Sequence, residues 1–346
     1  MTTTITPPLR RRESNLSQLL AATMATEMER DPAVMLLGED VGYSGGTFGA
    51  TRGLFKQFGE WRVRDTPISE MGFTGMAAGL AMSGYRPIVE IMFADFIGVC
   101  LDQLYNAIGK NRYMSGGEVA MPITIRTAGG CIGSAGQHSQ TLWGTLAHLP
   151  GLKVVAPSNP YDYRGLLTAA IESDDPVVVI EHKDAYLRKC SSFPLGAEVP
   201  DERYTVEIGR AAVVRPGTDL TVATLSTMVE KSLAAAEELA QFGIEAEVVD
   251  LRSVVPLDHQ TVAQSVVRTS RLLVVDEDYR SFGLSGELVT RVMEEIGPSG
   301  LRSVARLALP DTPIPAALSL EREVIPQVDG IVAAARRLIG DAPELS

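Results

Sequence analysis

The sequence predicts an α/β fold with two doubly wound domains, and three observations support this fold class. Short apolar runs without polar alternation recur along the chain, as in strands of a parallel sheet that is covered on both faces. Segments with helical periodicity separate these runs. The chain has 346 residues, the length of roughly two domains, and a segment rich in proline and glycine interrupts the alternation beyond its middle.

The first half alternates strands and helices. A helix is predicted over Leu16–Arg30, because Asn15 is suited to cap it and Asp31-Pro32 follows its end. The apolar run Val34–Leu37 predicts a buried strand that ends in the polar residues Gly38–Asp40. The same patterns predict strands at Pro87–Met92, Pro122–Arg126, Lys153–Ala156 and Pro176–Glu181, and helices at Gly72–Ser83, Phe96–Asn111 and Tyr161–Glu172.

The alternation stops at SSFPLGAEVPD, residues 191–201, and then restarts. This segment has two prolines and no helical or alternating period, which is typical of a linker. We therefore predict a flexible tail at 1–14, one domain at 15–190, a linker at 191–203 and a second domain at 204–346. The second domain is predicted to contain strands at Asp219–Leu225, Ala246–Leu251 and Leu272–Asp276, and helices at Met228–Phe242, His259–Arg268 and Leu284–Ile296.

Composition and charge exclude several function classes. The 31 Lys and Arg against 43 Asp and Glu give a net charge of −12, opposite in sign to that of a nucleic-acid binder. The most apolar region, Pro87–Leu101, is interrupted by Glu90 and Asp95, so no membrane span is predicted. Arg10–Arg12 precede no apolar segment, so no secretory signal is predicted. We expect a soluble, cytoplasmic protein, and its three cysteines suit neither a disulfide framework nor a zinc site.

The segment Asp65–Pro87 contains the strongest candidate for a functional carboxylate. Glu70 lies where extended chain gives way to a helix that contains Gly72, Gly75 and Gly79. Because each glycine weakens a helix by about 1 kcal/mol relative to alanine, three on one face indicate that another backbone or a flat ligand approaches closely. The alternative is a seam between packed helices, with Glu70 complementing the helix dipole. Spacing alone favours the packing seam.

Two further segments contain candidate residues. Phe93 and Phe96 follow a predicted strand, where an aromatic ring can stack on a planar heterocycle, although the sequence alone favours a core position. The glycine-rich loop Gly129–Gln140 carries His138, and an imidazole that titrates near neutral pH suits proton transfer. Of the remaining histidines, His148 is expected to be structural and His259 to lie on the surface, whereas His182 is ambiguous. The motifs of P-loop kinases, Rossmann dehydrogenases and zincins are absent from the sequence.

Several motifs occur in a fixed order between about Leu16 and Leu338. They are GED at 38–40, TRGLFKQFG at 51–59, RVRDTPISEMGFTG at 62–75, RPIVEIMFADF at 86–96, QHSQ at 137–140, HLPGLKVVAPSNPYD at 148–162 and VVDLRSVVPLD at 248–258. Together they resemble the beta subunit of thiamine-diphosphate-dependent 2-oxo acid dehydrogenases, a family that includes pyruvate, branched-chain 2-oxo acid and acetoin dehydrogenases.

The resemblance implies a transketolase-like fold, with a pyrimidine-binding domain followed by a transketolase C-terminal domain. It also implies an assembly of two alpha and two beta chains with thiamine diphosphate between them. In the family, the alpha chain holds the diphosphate and Mg²⁺ through a GDG…N motif, and this sequence contains no GDG. The chain is therefore expected to supply half of a cofactor site. The acyl acceptor that the resemblance implies is the lipoyl group of a dihydrolipoyl acyltransferase.

The resemblance also assigns roles to individual residues. Glu70 matches the glutamate that hydrogen-bonds the pyrimidine ring nitrogen and so promotes loss of the thiazolium proton. Phe96 matches the aromatic side chain that packs on the aminopyrimidine, and Met92 is expected one helical turn before it on the same wall. His138 matches a histidine near the reactive end of the cofactor, where it would protonate intermediates or the sulfur of the lipoyl group. Glu70 and His138 are thus the predicted catalytic residues.

One segment departs from the family pattern. Many family members bind a structural K⁺ through backbone carbonyls and the side chains of an AIRDxNP segment, which here reads AIESDDP at 170–176. Ser173 replaces the aspartate and Asp175 replaces the asparagine. The carbonyl groups of Ile123, Ala170 and Ile171 are still available, so K⁺ is left open.

The sequence is therefore compatible with three functions. The first is a beta subunit that decarboxylates a 2-oxo acid and acylates a lipoyl group, with pyruvate favoured over acetoin and branched-chain 2-oxo acids. The second is a fragment of a transketolase or deoxyxylulose-phosphate synthase, which the missing GDG disfavours. The third is a non-catalytic scaffold on the same fold, which the presence of Glu70 disfavours.

Overall fold

The computed structural model describes residues 14–340. The predicted tail lies outside these residues except for Ser14, which is buried and whose carbonyl accepts a hydrogen bond from the Cys190 N–H. The first helix begins as predicted. The Asn15 side chain accepts a hydrogen bond from Gln18 N, and the Gln18 side chain accepts one from Asn15 N, both at 3.0 Å. This reciprocal pair is a capping box, which satisfies two otherwise unpaired N–H groups.

The first half of the chain alternates helices and strands as the sequence predicts. Its helices are α1 (Leu16–Arg30), α2 (Leu54–Phe58), α3 (Glu70–Met82), α4 (Gly109–Met114), α5 (Trp143–Ala147) and α6 (Pro160–Glu172). Its strands are β1 (Val34–Gly38), β2 (Val63–Asp65), β3 (Arg86–Phe93), β4 (Thr124–Gly129), β5 (Lys153–Val155) and β6 (Val177–His182).

The second half repeats the alternation. Its helices are α7 (Met228–Ala240), α8 (His259–Thr269), α9 (Leu284–Ile296), α10 (Leu318–Val324) and α11 (Val328–Ile339). Its strands are β7 (Ala212–Arg215), β8 (Leu220–Thr224), β9 (Ala246–Asp250), β10 (Ser253–Val255), β11 (Arg271–Tyr279) and β12 (Ser303–Leu309).

Among the described residues, the strands form two sheets that are parallel except at one edge of each. The seven-stranded sheet has the order β10-β5-β6-β4-β3-β1-β2, and the five-stranded sheet has the order β12-β11-β8-β9-β7. Only β10 and β7 run antiparallel to their neighbours. Helices cover both faces of both sheets, which confirms the predicted class of two doubly wound α/β units. The inner strands β1, β4, β6, β8 and β9 are buried along their whole length.

The two sheets share a hydrophobic core. One cluster of buried side chains extends from Val89 and Ile125 in the first sheet to Val249 and Leu272 in the second. Two further clusters lie on the outer faces, one under α1 and α6 and the other under α7 and α11. Strand β10 comes from the second half of the chain but pairs with β5 in the first sheet. The two halves are thus joined by both a shared core and a shared sheet.

One predicted helix is helical throughout but is not a single regular α-helix. The segment Phe96–Asn111 forms a 3₁₀ segment over Ala94–Cys100, a π turn over Gln103–Ile108 and the short helix α4. The π turn ends at Gly109, where the backbone packs closely against the loop that follows α5. A Cβ on Gly109 would lie 3.0 Å from the Pro150 carbonyl, and a Cβ on Gly151 would overlap the Gly109 carbonyl. None of the helices within residues 14–340 is long and apolar enough to cross a membrane.

Candidate active site

Two acidic side chains, Glu39 and Glu70, lie near each other in the segments that follow β1 and β2. Helix α3 begins at Glu70, which is 9% exposed. None of the hydrogen bonds or salt bridges among residues 14–340 involves the Glu70 carboxylate. Glu39 follows β1, and its carboxylate accepts a hydrogen bond from the Ser69 N–H, whereas its Oε1 atom is buried without a partner. Burial and the nearby charge of Glu70 raise the pKa of Glu39. Glu39 therefore takes up a proton more readily than an exposed carboxylate would.

The glycine face of α3 is not a packing seam within this chain. A Cβ on Gly79 would meet nothing within 4 Å, and one on Gly75 would touch only the Gln103 side chain. Three large apolar residues are exposed along the same helix, Met71, Met76 and Met82. The packing seam that spacing favoured is therefore not formed within the described residues, and the face is open to a ligand or to another chain.

The rings of Phe93, Phe96 and His138 contact one another and form what we call the aromatic wall, which brings together two predicted site residues, Phe96 and His138. The His138 ring lies edge-on to Phe93, with centroids 4.8 Å apart, and to Phe96, with centroids 5.4 Å apart. Phe96 lies in the 3₁₀ segment that follows β3 and packs beside α3. Met92 does not lie one helical turn before Phe96 as expected, because β3 continues to Phe93. It lines a small cavity with Phe48 on the side of β3 that faces α1 and α6.

Beneath this wall, a buried cluster of charged side chains joins strands β3, β4 and β6. On β4, the Arg126 guanidinium donates to Glu181 on β6 and to Glu90 on β3, each at 2.7 Å. Tyr186 donates to Glu181 at 2.6 Å. Burial alone would lower the pKa of Arg126, but the two carboxylates raise it. The arginine therefore stays charged and holds the three strands in register below Met92 and Phe96.

The sequence left His182 ambiguous, and the structure places its ring against the Glu277 carboxylate, in a contact between the two halves. Its Nε2 atom lies 3.0 Å from the Glu277 carboxylate, and both residues are buried. Burial would raise the pKa of Glu277, but His182 and the Cys131 N–H lower it to about 2. Glu277 was missed as a functional candidate. The signal was the acidic run Asp276–Asp278 near the end of a strand, where ligands collect in parallel sheets.

The other two histidines lie outside this region. His148 lines a wide groove between the two halves, together with Pro256 and the exposed Phe282. His259 begins α8 as predicted, and its ring lies 3.8 Å from the carboxylate of Glu295. Neither residue contacts the aromatic wall.

Comparison with known proteins identifies the family. Residues 12–188 match the transketolase pyrimidine binding domain, and residues 209–331 match the transketolase C-terminal domain. The chain is 42% identical to the pyruvate dehydrogenase E1 component subunit beta of Bacillus subtilis, over 94% of this chain and 99% of that protein. It is 44% identical to the acetoin:2,6-dichlorophenolindophenol oxidoreductase subunit beta of Cupriavidus necator, over 90% and 93% respectively. The chain belongs to the family of pyruvate and acetoin dehydrogenase E1 beta subunits.

Two further comparisons support the fold and show how widely the family is distributed. A mitochondrial pyruvate dehydrogenase E1 component subunit beta-2 from Oryza sativa is 42% identical over 94% of this chain and 86% of that protein. A solved structure described as a split gene transketolase, inactive beta4 tetramer, superposes with a TM-score of 0.75 at 23% identity, covering 94% of this chain and 98% of that chain. The predicted transketolase-like fold is thereby confirmed.

The side chains of this family member fit the pyrimidine half of thiamine diphosphate. Such a ring needs a carboxyl group that can share a proton, an aromatic surface and an open entrance. Glu70 is buried and has no partner within the described chain, the ring of Phe96 is only partly covered, and the Gly79 face is open. Among residues 14–340, no three His, Cys, Asp or Glu side chains are placed to hold a metal ion.

The residues at the position of the family's K⁺ site do not fit that ion. The Lys153 ammonium lies 3.0 Å from the Asp175 carboxylate and 3.3 Å from the Ser173 hydroxyl. The Arg112 guanidinium lies 2.7 Å from the other oxygen of Asp175. Although burial raises the pKa of Asp175, hydrogen bonds from Lys153 and Arg112 lower it below its ordinary value. Two side-chain cations thus occupy the oxygen atoms that a metal ion would need.

The carbonyl groups available to K⁺ are also engaged. Ile123 O accepts a hydrogen bond from Val177 N at 2.9 Å, and Ile171 O accepts one from the Arg86 guanidinium at 3.1 Å. A third positive charge in this segment would be repelled by Lys153 and Arg112. The charges beside Asp175 therefore oppose a bound metal ion, even though each of these carbonyl oxygens keeps a second lone pair.

Proposed function

We propose that this chain is the beta subunit of a thiamine-diphosphate-dependent 2-oxo acid dehydrogenase component. It decarboxylates a 2-oxo acid and passes the acyl group to the lipoyl group of a dihydrolipoyl acyltransferase. The observation that carries the proposal is Glu70, a buried carboxylate without an internal partner beside a helix face open to another molecule. Pyruvate is the favoured substrate, and acetoin and branched-chain 2-oxo acids are the alternatives.

The cofactor, when bound between this chain and an alpha chain that holds its diphosphate and Mg²⁺, supplies a carbon nucleophile. Glu70 is the group that shares a proton with the pyrimidine ring nitrogen. Its carboxyl lies at the first turn of α3, where the side chain is held by its helix rather than by a hydrogen bond. Glu39 stabilises a proton in this region, because its own pKa is raised by burial and by Glu70. With the cofactor bound, Glu70 would hold the proton at the ring nitrogen, and the raised pKa of Glu39 would favour a proton in the same region.

Phe96, Met92 and His138 complete the part of the site that this chain supplies. Phe96 packs against the pyrimidine, whereas Met92 is assigned to the cofactor by the family resemblance alone, because its side chain lines the cavity with Phe48 on the side of β3 that faces α1 and α6. The His138 imidazole is oriented by edge contacts with Phe93 and Phe96. A ring oriented in this way can deliver a proton to a developing oxyanion or to the lipoyl sulfur. We assign Glu70 and His138 as the catalytic residues.

The partner is an alpha chain, in an assembly of two alpha and two beta chains. Both relatives with bacterial sources are named as beta subunits, and the exposed apolar face of α3 is the surface that an alpha chain would cover. The transketolase alternative has weaker support, at 23% identity. The retained Glu70 disfavours the scaffold alternative. The cytoplasmic location stays a prediction from the sequence.

Reconstitution tests the proposal and the substrate together. The chain is co-expressed with a GDG-containing alpha chain, and decarboxylation is measured with pyruvate, acetoin and branched-chain 2-oxo acids, using first an artificial electron acceptor and then a lipoyl domain. We expect activity from the assembled complex, highest with pyruvate, and none from either chain alone. Robust decarboxylation by the isolated chain would contradict the shared site, and a preference for acetoin would correct the substrate.

A further inference from the structure

The loop that carries His138 is held by two buried glutamates from the second half of the chain. On β11, Glu277 accepts a hydrogen bond from Cys131 N at 2.9 Å. On α10, both carboxylate oxygens of Glu321 lie 2.9 Å from Gly133 N. We call Glu277 and Glu321 the loop clamp. Both anchored N–H groups lie within seven residues of His138, so the clamp holds the first half of the loop that carries this histidine.

The two members of the clamp differ in how their charge is balanced. Glu277 is paired with His182 at 3.0 Å and accepts a further hydrogen bond from the Thr227 hydroxyl at 3.1 Å. Glu321 is 3% exposed, and no salt bridge among residues 14–340 involves it. The charges of Lys183 and Lys231 also interact with Glu321, but neither lysine forms a salt bridge with it among the described residues. Both oxygens of Glu321 instead lie 2.9 Å from the backbone N–H of Gly133, which indicates that Glu321 fixes that N–H.

The loop backbone packs closely against α10 and the residues just before it. Gly133 has a φ of +81°, and a Cβ there would lie 2.7 Å from the Leu318 side chain. Gly136 approaches the same segment, because its Cβ would lie 3.4 Å from the Ile314 carbonyl. At the far end of the loop, the Gln140 side chain donates to Asp95 at 2.8 Å. Asp95 lies between the two phenylalanines that contact His138, so the loop is anchored on both sides of the histidine.

We propose that Glu321 is a positioning residue for His138. By holding Gly133 N, it presses the loop against α10 and thereby sets the imidazole against Phe93 and Phe96. The second domain thus takes part in acyl transfer without contacting the reacting atoms. This inference rests on the proposed function of His138, and its test therefore includes a measurement that does not depend on the chemistry.

Hydrogen exchange in the assembled complex provides that measurement. Glu321→Ala removes both acceptors, and we expect amide exchange in the peptide 129–140 to rise about 10-fold, as for the loss of one buried hydrogen bond. Glu321→Gln keeps one acceptor oxygen and should restore most of the protection. Glu323→Ala, an exposed glutamate of the same helix, is the matched control and should leave exchange unchanged. If Glu321→Ala does not assemble, Glu321→Asp, which is one methylene shorter, replaces it.

Activity assays of the Glu321 variants then distinguish a role in positioning His138 from a general loss of stability. In Glu321→Ala we expect transfer to the lipoyl domain to fall about 10-fold, while decarboxylation with an artificial acceptor stays within about twofold. Unchanged exchange in the loop would overturn the proposal, and so would increased exchange with equal loss in both assays. If His138→Ala leaves both assays unchanged, the proposed role of His138 fails instead, whereas the exchange data still decide whether Glu321 holds the loop.

Discussion

The exposed face of α3 and the loop 129–140 both carry a predicted catalytic residue, but they are completed in opposite ways. Beside Glu70, the described chain offers no partner for the carboxylate and leaves Gly79 facing open space. Around His138, buried groups from both halves hold the loop, and two phenylalanines contact the ring. The difference supports our proposal that another chain completes the Glu70 region, whereas groups of this chain hold the loop that carries His138.

The largest expected effect is at Glu70. Glu70→Gln keeps the size of the side chain but cannot share a proton with the pyrimidine ring nitrogen. We expect turnover of the complex to fall about 10²–10⁴-fold, the usual contribution of a general acid–base group, with assembly unchanged. Turnover is measured together with deuterium exchange at the thiazolium carbon, and near-normal exchange in the variant would remove Glu70 from its role.

A matched variant shows whether that loss is specific. Glu60→Gln makes the same change of charge at an exposed position that precedes β2. It should retain the activity of the parent complex. A comparable loss in Glu60→Gln would mean that net charge, rather than the proton at Glu70, limits turnover.

The next effect is at His138 and should separate the two stages of the reaction. His138→Ala leaves the cores and Glu70 in place, so transfer to the lipoyl domain should fall about 10²-fold while decarboxylation with an artificial acceptor falls much less. The pH profile of the transfer step should also change, because an imidazole that titrates near neutral pH is lost. His259→Ala, at the start of α8, is the control. Equal losses in both assays with weakened assembly would show that His138 only packs the loop.

A smaller effect concerns the open face of α3. Gly79→Leu should not destabilise the isolated chain, because a Cβ there meets nothing within 4 Å and leucine favours a helix over glycine by roughly 0.8 kcal/mol. It should weaken association with the alpha chain at least about 10-fold, as expected for one badly placed side chain in a packed interface. Gly79→Ala is the milder comparison. Normal assembly of Gly79→Leu, measured by sedimentation, would place the alpha chain elsewhere.

A similar contrast separates the strands that the sequence predicts from those it does not. The inner strands of both sheets were predicted to within a few residues, because strands buried on both faces are continuous apolar runs. The four that were missed, β2, β7, β10 and β12, are the four edges of the two sheets. Strands β7 and β12 are largely half-exposed and mix polar with apolar residues. An apolar-run criterion cannot detect such strands, and β10 also joins a sheet from the other half of the chain.

The residues of the candidate site also differ in whether a local sequence pattern marks them. Glu70, Phe96 and His138 became candidates because each lies in a local motif (a glycine helix, an aromatic pair or a glycine-rich loop), and the family resemblance then assigned their roles where the local pattern alone favoured packing for Glu70 and Phe96. Glu277 and Glu321 act on a loop more than 140 residues earlier in the chain, and no local pattern marks such a contact. Their roles, like the assignment of Met92 to the cofactor, stay predictions until the variants are measured.

The smallest expected effect concerns the segment 170–176, which the chain completes with its own cations. Replacing Na⁺ by K⁺ should not raise the melting temperature of the complex, because a bound ion would stabilise the folded state only if it found free ligands. Lys153→Met removes the ammonium that contacts Asp175 and Ser173. Since the pair is about a third exposed, the loss should be modest, about 1 kcal/mol or less, and K⁺ should recover more of it than Na⁺.

The control for that variant is Lys56→Met, the same substitution at an exposed position of α2. It should melt at the temperature of the parent complex in both salts, because no carboxylate is left without its cation. A K⁺-specific rise in melting temperature in the parent complex would show that the ion binds despite Lys153 and Arg112. A rise confined to Lys153→Met would show that the lysine ammonium does the work of the ion, and that this segment, like the His138 loop, is completed from within the chain.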